Sequence, residues 1–330
     1  MVKALYRILS LSLSLAICLV ALLSCTGGYK PIKPTDDDIR VVGTVAGHEV
    51  LWDEFRFVAI THANAMKEKY GDGIFEGEDS ARYKEELRSL VYESITANYA
   101  VLALCSEAKI ERGEKAVIEA VDEEIARIVE ELGGMSEYRK YLEENYLTDN
   151  FLRFSIEIQL LQSELMYVYR DDLGMIASSE DDVYDAIMNE FAYVHHIFIP
   201  HTDEDAYGKI SEAHARLTSG DSFDSLMSEY GRDDNMTLSG LLIPRGYMTD
   251  EYDEAIFSIS LGTTGIVRDD LGYYIIRRSE ISPMAVMADL QNLTSLYQTY
   301  ALISMIDEKQ ASLDFIPNSL AENTDLSKII

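Results

Sequence analysis

Three cysteines in 330 residues leave this chain without a disulfide framework, and two of them, Cys18 and Cys25, fall inside the first 25 residues. Cys105 alone follows them, in the apolar run Tyr99-Ala100-Val101-Leu102-Ala103-Leu104, where a small buried hydrophobe is expected. A basic surplus is missing as well. With 58 acidic against 28 basic residues and a formal charge of -30, the chain offers no electrostatic footprint for nucleic acid. The repeated βαβ pattern that two α/β lobes would need around a captured small solute is also absent. His48 and His62 have no neighbouring ligands, and adjacent His195 and His196 face apart on a strand, so neither a metal nor another cofactor is expected. What is present is 47% hydrophobic residues, enough for two compact domains, with the acidic residues spread over solvated faces.

Lys3 and Arg7 precede an apolar stretch from Ile8 to Leu23, the pattern of a secretory leader. Leu22-Leu23-Ser24-Cys25 resembles the bacterial lipobox, which implies removal of residues 1–24 and lipidation of Cys25. Two acyl chains on Cys25 would anchor durably where one would not. Residues 25–40, with Gly27-Gly28, Pro31, Pro34 and Asp36-Asp37-Asp38, read as a flexible spacer.

Val41 to Val50 reads as two short strands around a glycine turn. From there to Leu173, apolar residues recur at helical spacing, for example Val117, Val121, Ile125, Ile128 and Leu132, and glycine-marked breaks divide the segment into four or five helices. The stripe from Phe151 to Tyr169 is too wide for one buried face. Packing against neighbouring helices accounts for most of it, and the surplus suggests a groove for unfolded chains. A helical domain over 41–175 is the expectation. Met284 to Lys309 is helical again by spacing, and 311–330 reads as a loosely structured tail.

Between these lies Tyr193-Val194-His195-His196-Ile197-Phe198-Ile199-Pro200, a β-branched and aromatic strand. Two helical patterns follow, then Gly240-Leu241-Leu242 and Gly246 to Tyr252, and finally the strand Leu271-Gly272-Tyr273-Tyr274-Ile275-Ile276. This order over 190–281 resembles the parvulin-type peptidyl-prolyl cis/trans isomerases, and the flanks resemble the exported foldase lipoproteins of the PrsA and SurA kind. The resemblance implies an all-α chaperone domain completed by a C-terminal helix, 283–310, that packs back on it, plus one α+β parvulin-like domain. It implies a catalytic set of His196, Asp233 (with Asp234 as the alternative register) and Tyr274, and a proline cup of Leu242, Met248 and Tyr252. Tyr274 stands where the family carries a second histidine, and its hydroxyl can keep a hydrogen bond but cannot reproduce an imidazole pair. Each of these residues also has a plain structural role open to it: a core histidine, a turn aspartate, helix-spaced packing. The function implied is a lipid-anchored, extracytoplasmic folding factor of the bacterial envelope acting on unfolded or proline-containing exported polypeptides. A holdase without turnover is the alternative.

Overall fold

The computed structural model describes residues 29–329. The expected leader and Cys25 lie outside them. The described chain divides into two units, one of residues 29–172 with Met305 to Ile329, the other Leu173–Ser304.

The first unit is helical. Strands β1 (Val41–Val45) and β2 (His48–Leu51) pair antiparallel across the Ala46-Gly47 turn, both of whose residues have positive φ. Helices α1 (Trp52–Tyr70), α2 (Ser80–Glu107), α3 (Lys115–Glu131), α4 (Met135–Glu144) and α5 (Asp149–Tyr167) follow. The wide stripe of α5 is explained by its two sets of neighbours, since it packs against α2 with one side and against α3 with the other. Phe151, Leu152 and Ile156 join Val121, Ile125 and Tyr138 in one cluster, while the backbone of Leu161 faces Cys105, which is buried with its thiol pushed up to about 12 by that burial.

Three expectations are corrected here. The stretch read as a flexible spacer is docked from Tyr29 onward. The Tyr29 hydroxyl lies 3.1 Å from both Asp149 oxygens and shares its one proton with them, the Ile32 amide donates to Oδ2 at 3.3 Å, and both side chains pack on the α3–α5 cluster. Tyr29 and Ile32 are few, but a buried carboxylate and an apolar surface receive them. The tail after 311 is likewise ordered. Strand β7 (Phe315–Pro317) pairs with β1, so the sheet order is β2-β1-β7, and Phe315, Ala321 and Leu326 are buried. Gly43 permits that approach: a Cβ there would stand 2.4 Å from the Ile316 carbonyl and 2.5 Å from the Phe315 ring. Phe315 lies 5.0 Å from Tyr92 and 6.1 Å from Phe55. Phe315→Ala is therefore expected to destabilise this unit by about 3–5 kcal/mol, the usual cost of emptying a buried aromatic site. Urea unfolding followed by Trp52, the one tryptophan of the chain, measures it.

The third correction concerns the C-terminal helix. It is two helices, α10 (Pro283–Ala288) and α11 (Leu290–Ala311). Val286 and Leu290 are buried in the second unit against Val183, Ile187 and Phe191, with Leu293, Leu296 and Tyr297 beside them. The apolar stripe of α6 (Glu180–Glu190) needs a cover and these residues supply it. Only Met305 to Ala311 belongs with the helical unit, where Lys309 bonds Glu107 at 2.6 Å.

The second unit contains α6 and a four-stranded antiparallel sheet of order β4-β3-β6-β5, made of β3 (Phe191–Pro200), β4 (Leu241–Pro244), β5 (Thr264–Arg268) and β6 (Gly272–Ser279). Helices α7 (Ala206–Thr218) and α8 (Phe223–Tyr230) cover one face, and α9 (Asp250–Ser258) lies on the other. Because side chains alternate along a strand, Ile197 and Ile199 enter the α7–α8 core while Ala192 and Val194 enter the α9 core.

Candidate active site

His196 is on the α9 face of the central strand β3, paired in register with Ile276, and is 2% exposed. Both ring nitrogens are engaged. Nε2 lies 3.0 Å from Asp233 Oδ2 and Nδ1 2.7 Å from the Tyr252 hydroxyl. Asp233 follows α8 in a turn whose backbone folds over it. Its Oδ1 accepts from the Asn235 amide at 2.9 Å, and its carbonyl accepts from the Met236 amide. The hydrogen bond from His196 holds the Asp233 carboxyl below its ordinary value, helped by the Asn235 amide, while partial burial opposes the shift. An ionised carboxylate only accepts, so Nε2 carries a proton. In the neutral imidazole Nδ1 then accepts from Tyr252. Asp234, the alternative register, is exposed.

Tyr252 is on α9, whose N-terminus is capped by Thr249 through the Tyr252 amide. It is fully buried, and burial, then the negative charges of Asp233 and Asp269, raise its hydroxyl pKa, so it remains a donor. Tyr274 on β6 is 2% exposed and is raised likewise, by burial first and then by the negative charge of Asp269. The three rings meet edge to face, at 5.7 Å for His196–Tyr252, 5.5 Å for His196–Tyr274 and 5.0 Å for Tyr252–Tyr274. Phe198 stacks on Tyr274 at 4.7 Å. Such contacts fix the imidazole plane.

Sequence reasoning missed Asp269 and Thr249. Asp269 is 5% exposed in the β5–β6 turn. Its Oδ1 accepts from the amides of Leu271 at 2.8 Å and Gly272 at 3.0 Å, and its Oδ2 from the Thr249 hydroxyl at 2.8 Å. One carboxylate thus ties the turn and the cap of α9 together. The available signal was Asp269-Asp270-Leu271-Gly272, an aspartate that can bond the backbone two and three residues on. Gly272 is required here, since a Cβ would fall 2.3 Å from the Ile199 carbonyl.

The structure therefore brings His196, Asp233, Tyr252 and Tyr274 together. Met248, half-buried, packs on the cluster containing Tyr252 and Tyr274. It precedes the cap Thr249 rather than lying a helical turn before Tyr252 within α9. Leu242 is a correction. It packs beside Val183, Ile187 and Phe191, while its neighbours Leu241 and Ile243 join the histidine's cluster. Strand alternation places the assignment one residue off. Tyr252 is a second correction, because a fully buried ring holds the imidazole from beneath and lines no cup. The half-buried apolar side chains on this side include Phe198, Leu241, Met248, Phe257 and Val267. His195 faces away and donates from Nε2 to the Leu238 carbonyl at 3.1 Å. Both His196 nitrogens are thus committed, to Asp233 and to Tyr252.

Residues 183–281 match the family model of the PPIC-type PPIase domain. Among solved structures, PrsA from Bacillus subtilis is 16% identical, covering 83% of this chain and 91% of its own with a TM-score of 0.29. A peptidylprolyl isomerase (PrsA) from Bacillus anthracis is 19% identical over 64% of this chain and 94% of its own, TM-score 0.33. Foldase protein PrsA from Streptococcus pneumoniae is 12% identical over 83% and 93%, TM-score 0.33. No curated protein matches.

Proposed function

We propose, on the premise that residues 183–281 belong to the PPIC-type PPIase family, that this protein is an extracytoplasmic folding factor held at a bacterial membrane through Cys25, whose isomerase unit turns over X–Pro bonds. The observation that carries the reading is the chain Asp233···His196···Tyr252 beside the half-buried Met248, Leu241 and Phe198. An X–Pro bond rotates against a barrier of about 18–20 kcal/mol that arises from amide resonance. No bond to carbon is made, so the catalyst needs only to favour the twisted amide over both planar forms. The apolar side chains receive the pyrrolidine ring and exclude water. Asp233, a quarter exposed at its side chain, presents negative charge where the substrate carbonyl would lie. That charge disfavours the planar form, whose oxygen is the more negative. Tyr252 keeps the imidazole from turning, and His196 keeps the carboxylate in place.

A protease-coupled assay on proline tetrapeptides tests this. Turnover above the uncatalysed rate is expected, and His196→Ala and Asp233→Ala should each lower kcat/KM by about tenfold or more with smaller effects on client binding. Equal turnover in wild type and both variants removes the pair from the site. The burial of His196, Tyr252 and Tyr274 and the tyrosine at the second histidine position favour one other reading, a holdase that binds clients without turnover. Suppressed aggregation of an unfolded client with no acceleration over buffer would select it.

A further inference from the structure

The isomerase reading leaves a cavity of about 410 Å³ in the helical unit unused, lined by β2, the first turn of α1, α2 and α5. Asp53 and Glu54 form part of its lining, each 2% exposed, and Phe151 and Phe154 are aromatic side chains beside them. Glu54 Oε1 accepts from Asn98 Nδ2 at 3.0 Å, and Oε2 lies 2.8 Å from the Tyr99 hydroxyl. A carboxylate has about four lone-pair sites, so Glu54 retains unused capacity. Asp53 accepts the Glu54 amide on Oδ1 and the side chains of Thr148 and Asn150 on Oδ2. Among the described residues no cation bonds either group. Arg112 lines the same cavity, but its guanidinium is committed to Glu157 at 2.9 and 2.8 Å. It lies 5.0 Å from the Phe154 ring, which demonstrates the kind of group this wall accommodates. His48 and Glu49 of β2 are the other titratable groups facing the cavity.

We propose that this cavity receives the ammonium or guanidinium of a lysine or arginine side chain from an extended polypeptide, with Asp53 and Glu54 as counter-charges and Phe151 and Phe154 as walls. A buried pair of carboxyl groups without a bonded cation favours a group of opposite charge, and a chain with a charge of -30 draws basic segments toward it. The site is independent of the isomerase unit and extends the protein's substrates to basic segments without proline. Burial raises Glu54 to about 7, so near neutral pH an arriving cation draws the proton off and binding releases it.

The test is calorimetric titration of the full-length chain near neutral pH with acetyl-Ala-Ala-Lys-Ala-Ala-amide, and with the same peptide carrying norleucine or glutamate in place of lysine. Being proline-free, these probes separate this site from the isomerase. The lysine peptide should bind at least about tenfold more tightly than the norleucine one, and the glutamate peptide should give no saturable heat. Phosphate and Tris buffers should give different enthalpies, revealing proton release, and Glu54→Gln should abolish that difference and weaken binding while leaving proline-peptide turnover at the wild-type level. Equal affinity for lysine and norleucine, no saturable binding by wild type, or unchanged affinity in a folded Glu54→Gln chain would each overturn the proposal. The peptide comparison is made on wild type, so it stands even if the variant does not fold. Lost turnover on proline peptides would count against the isomerase reading alone.

Discussion

Glu54→Gln should make the helical unit more stable at pH 8 by roughly 3 kcal/mol, an advantage over wild type that shrinks as pH falls from about 7 toward 4.5. Burial raises Glu54 from 4.5 to about 7, with the charge of Asp53 adding to the shift and the bonds from Asn98 and Tyr99 opposing it. Between those two values the folded state holds a proton that the unfolded chain has released. The Glu54 contribution to stability therefore falls as pH rises across that window and levels off above it, while buried His62, lowered to about 4, contributes in the opposite sense up to its ordinary value and is common to wild type and variant. At about 1.36 kcal/mol per pH unit, the interval from 4.5 to about 7 gives the stated figure. Geometry supports a protonated Glu54 independently. The Tyr99 hydroxyl lies 3.1 Å from the Glu49 carbonyl and 2.8 Å from Glu54 Oε2, yet has one proton to give. If neutral Glu54 donates to the Tyr99 oxygen, Tyr99 is free to donate to Glu49. Glutamine reproduces that pattern, its NH₂ donating to Tyr99 and its carbonyl accepting from Asn98. His48, Glu49, Asp53 and Arg112 are common to both proteins, so the difference between the two pH curves isolates Glu54. Urea titrations read by Trp52 give the curves, and a difference between variant and wild type that stays constant from pH 5 to 8 would refute the assignment.

Burial of a carboxyl group of this kind is invisible in a sequence. Trp52-Asp53-Glu54-Phe55 reads as an ordinary acidic first turn of a helix, and only α2 and α5 closing over it make the acids buried. The elements that were legible are those whose side chains repeat over many residues. The 3.6-residue spacing of Val117, Val121 and Ile125 gives α3, and the alternation along Tyr193 to Pro200 gives β3 and the facing of His196 against His195. What escaped was short or depended on a partner distant in sequence. Strand β7 has three residues, too few for a period, and exists because β1 and Gly43 leave room for it. Tyr29 and Ile32 are two apolar residues in a polar stretch, and their ordering is decided by Asp149, more than a hundred residues away. At the site, His196 and Asp233 were legible only through the resemblance to the parvulin-type isomerases, since the residues alone left a core histidine and a turn aspartate equally open. A register error of one residue moved the cup assignment from Leu241 to Leu242, since neighbouring strand positions face opposite ways. Tyr252 was read as wall because residue type and spacing do not reveal depth.

Asp269→Ala should destabilise the second unit by about 3–5 kcal/mol, because three buried donors lose one shared acceptor, and should abolish turnover along with it. Three donors converge on this carboxylate: the amides of Leu271 and Gly272 and the Thr249 hydroxyl. Alanine leaves them without their acceptor in a turn 5% exposed at that residue, where each unpaired group costs about 1–3 kcal/mol. The consequences reach the imidazole by two routes. Thr249 caps α9, which carries Tyr252 to His196 Nδ1, and Tyr274 packs its ring edgewise on both His196 and Tyr252. Tyr274→Phe isolates the second route, because it deletes the hydroxyl while keeping the ring. It should leave most turnover in place if the ring alone orients His196. A Tyr274→Phe chain that folds normally but has lost turnover as completely as His196→Ala would show that the hydroxyl takes part in the isomerisation step, making Tyr274 the functional substitute for the second histidine. Chemical unfolding of each variant, read alongside kcat/KM on one proline tetrapeptide, distinguishes the outcomes. An Asp269→Ala chain as stable as wild type would mean that the turn recruits water or rearranges, and the network would lose its assigned role.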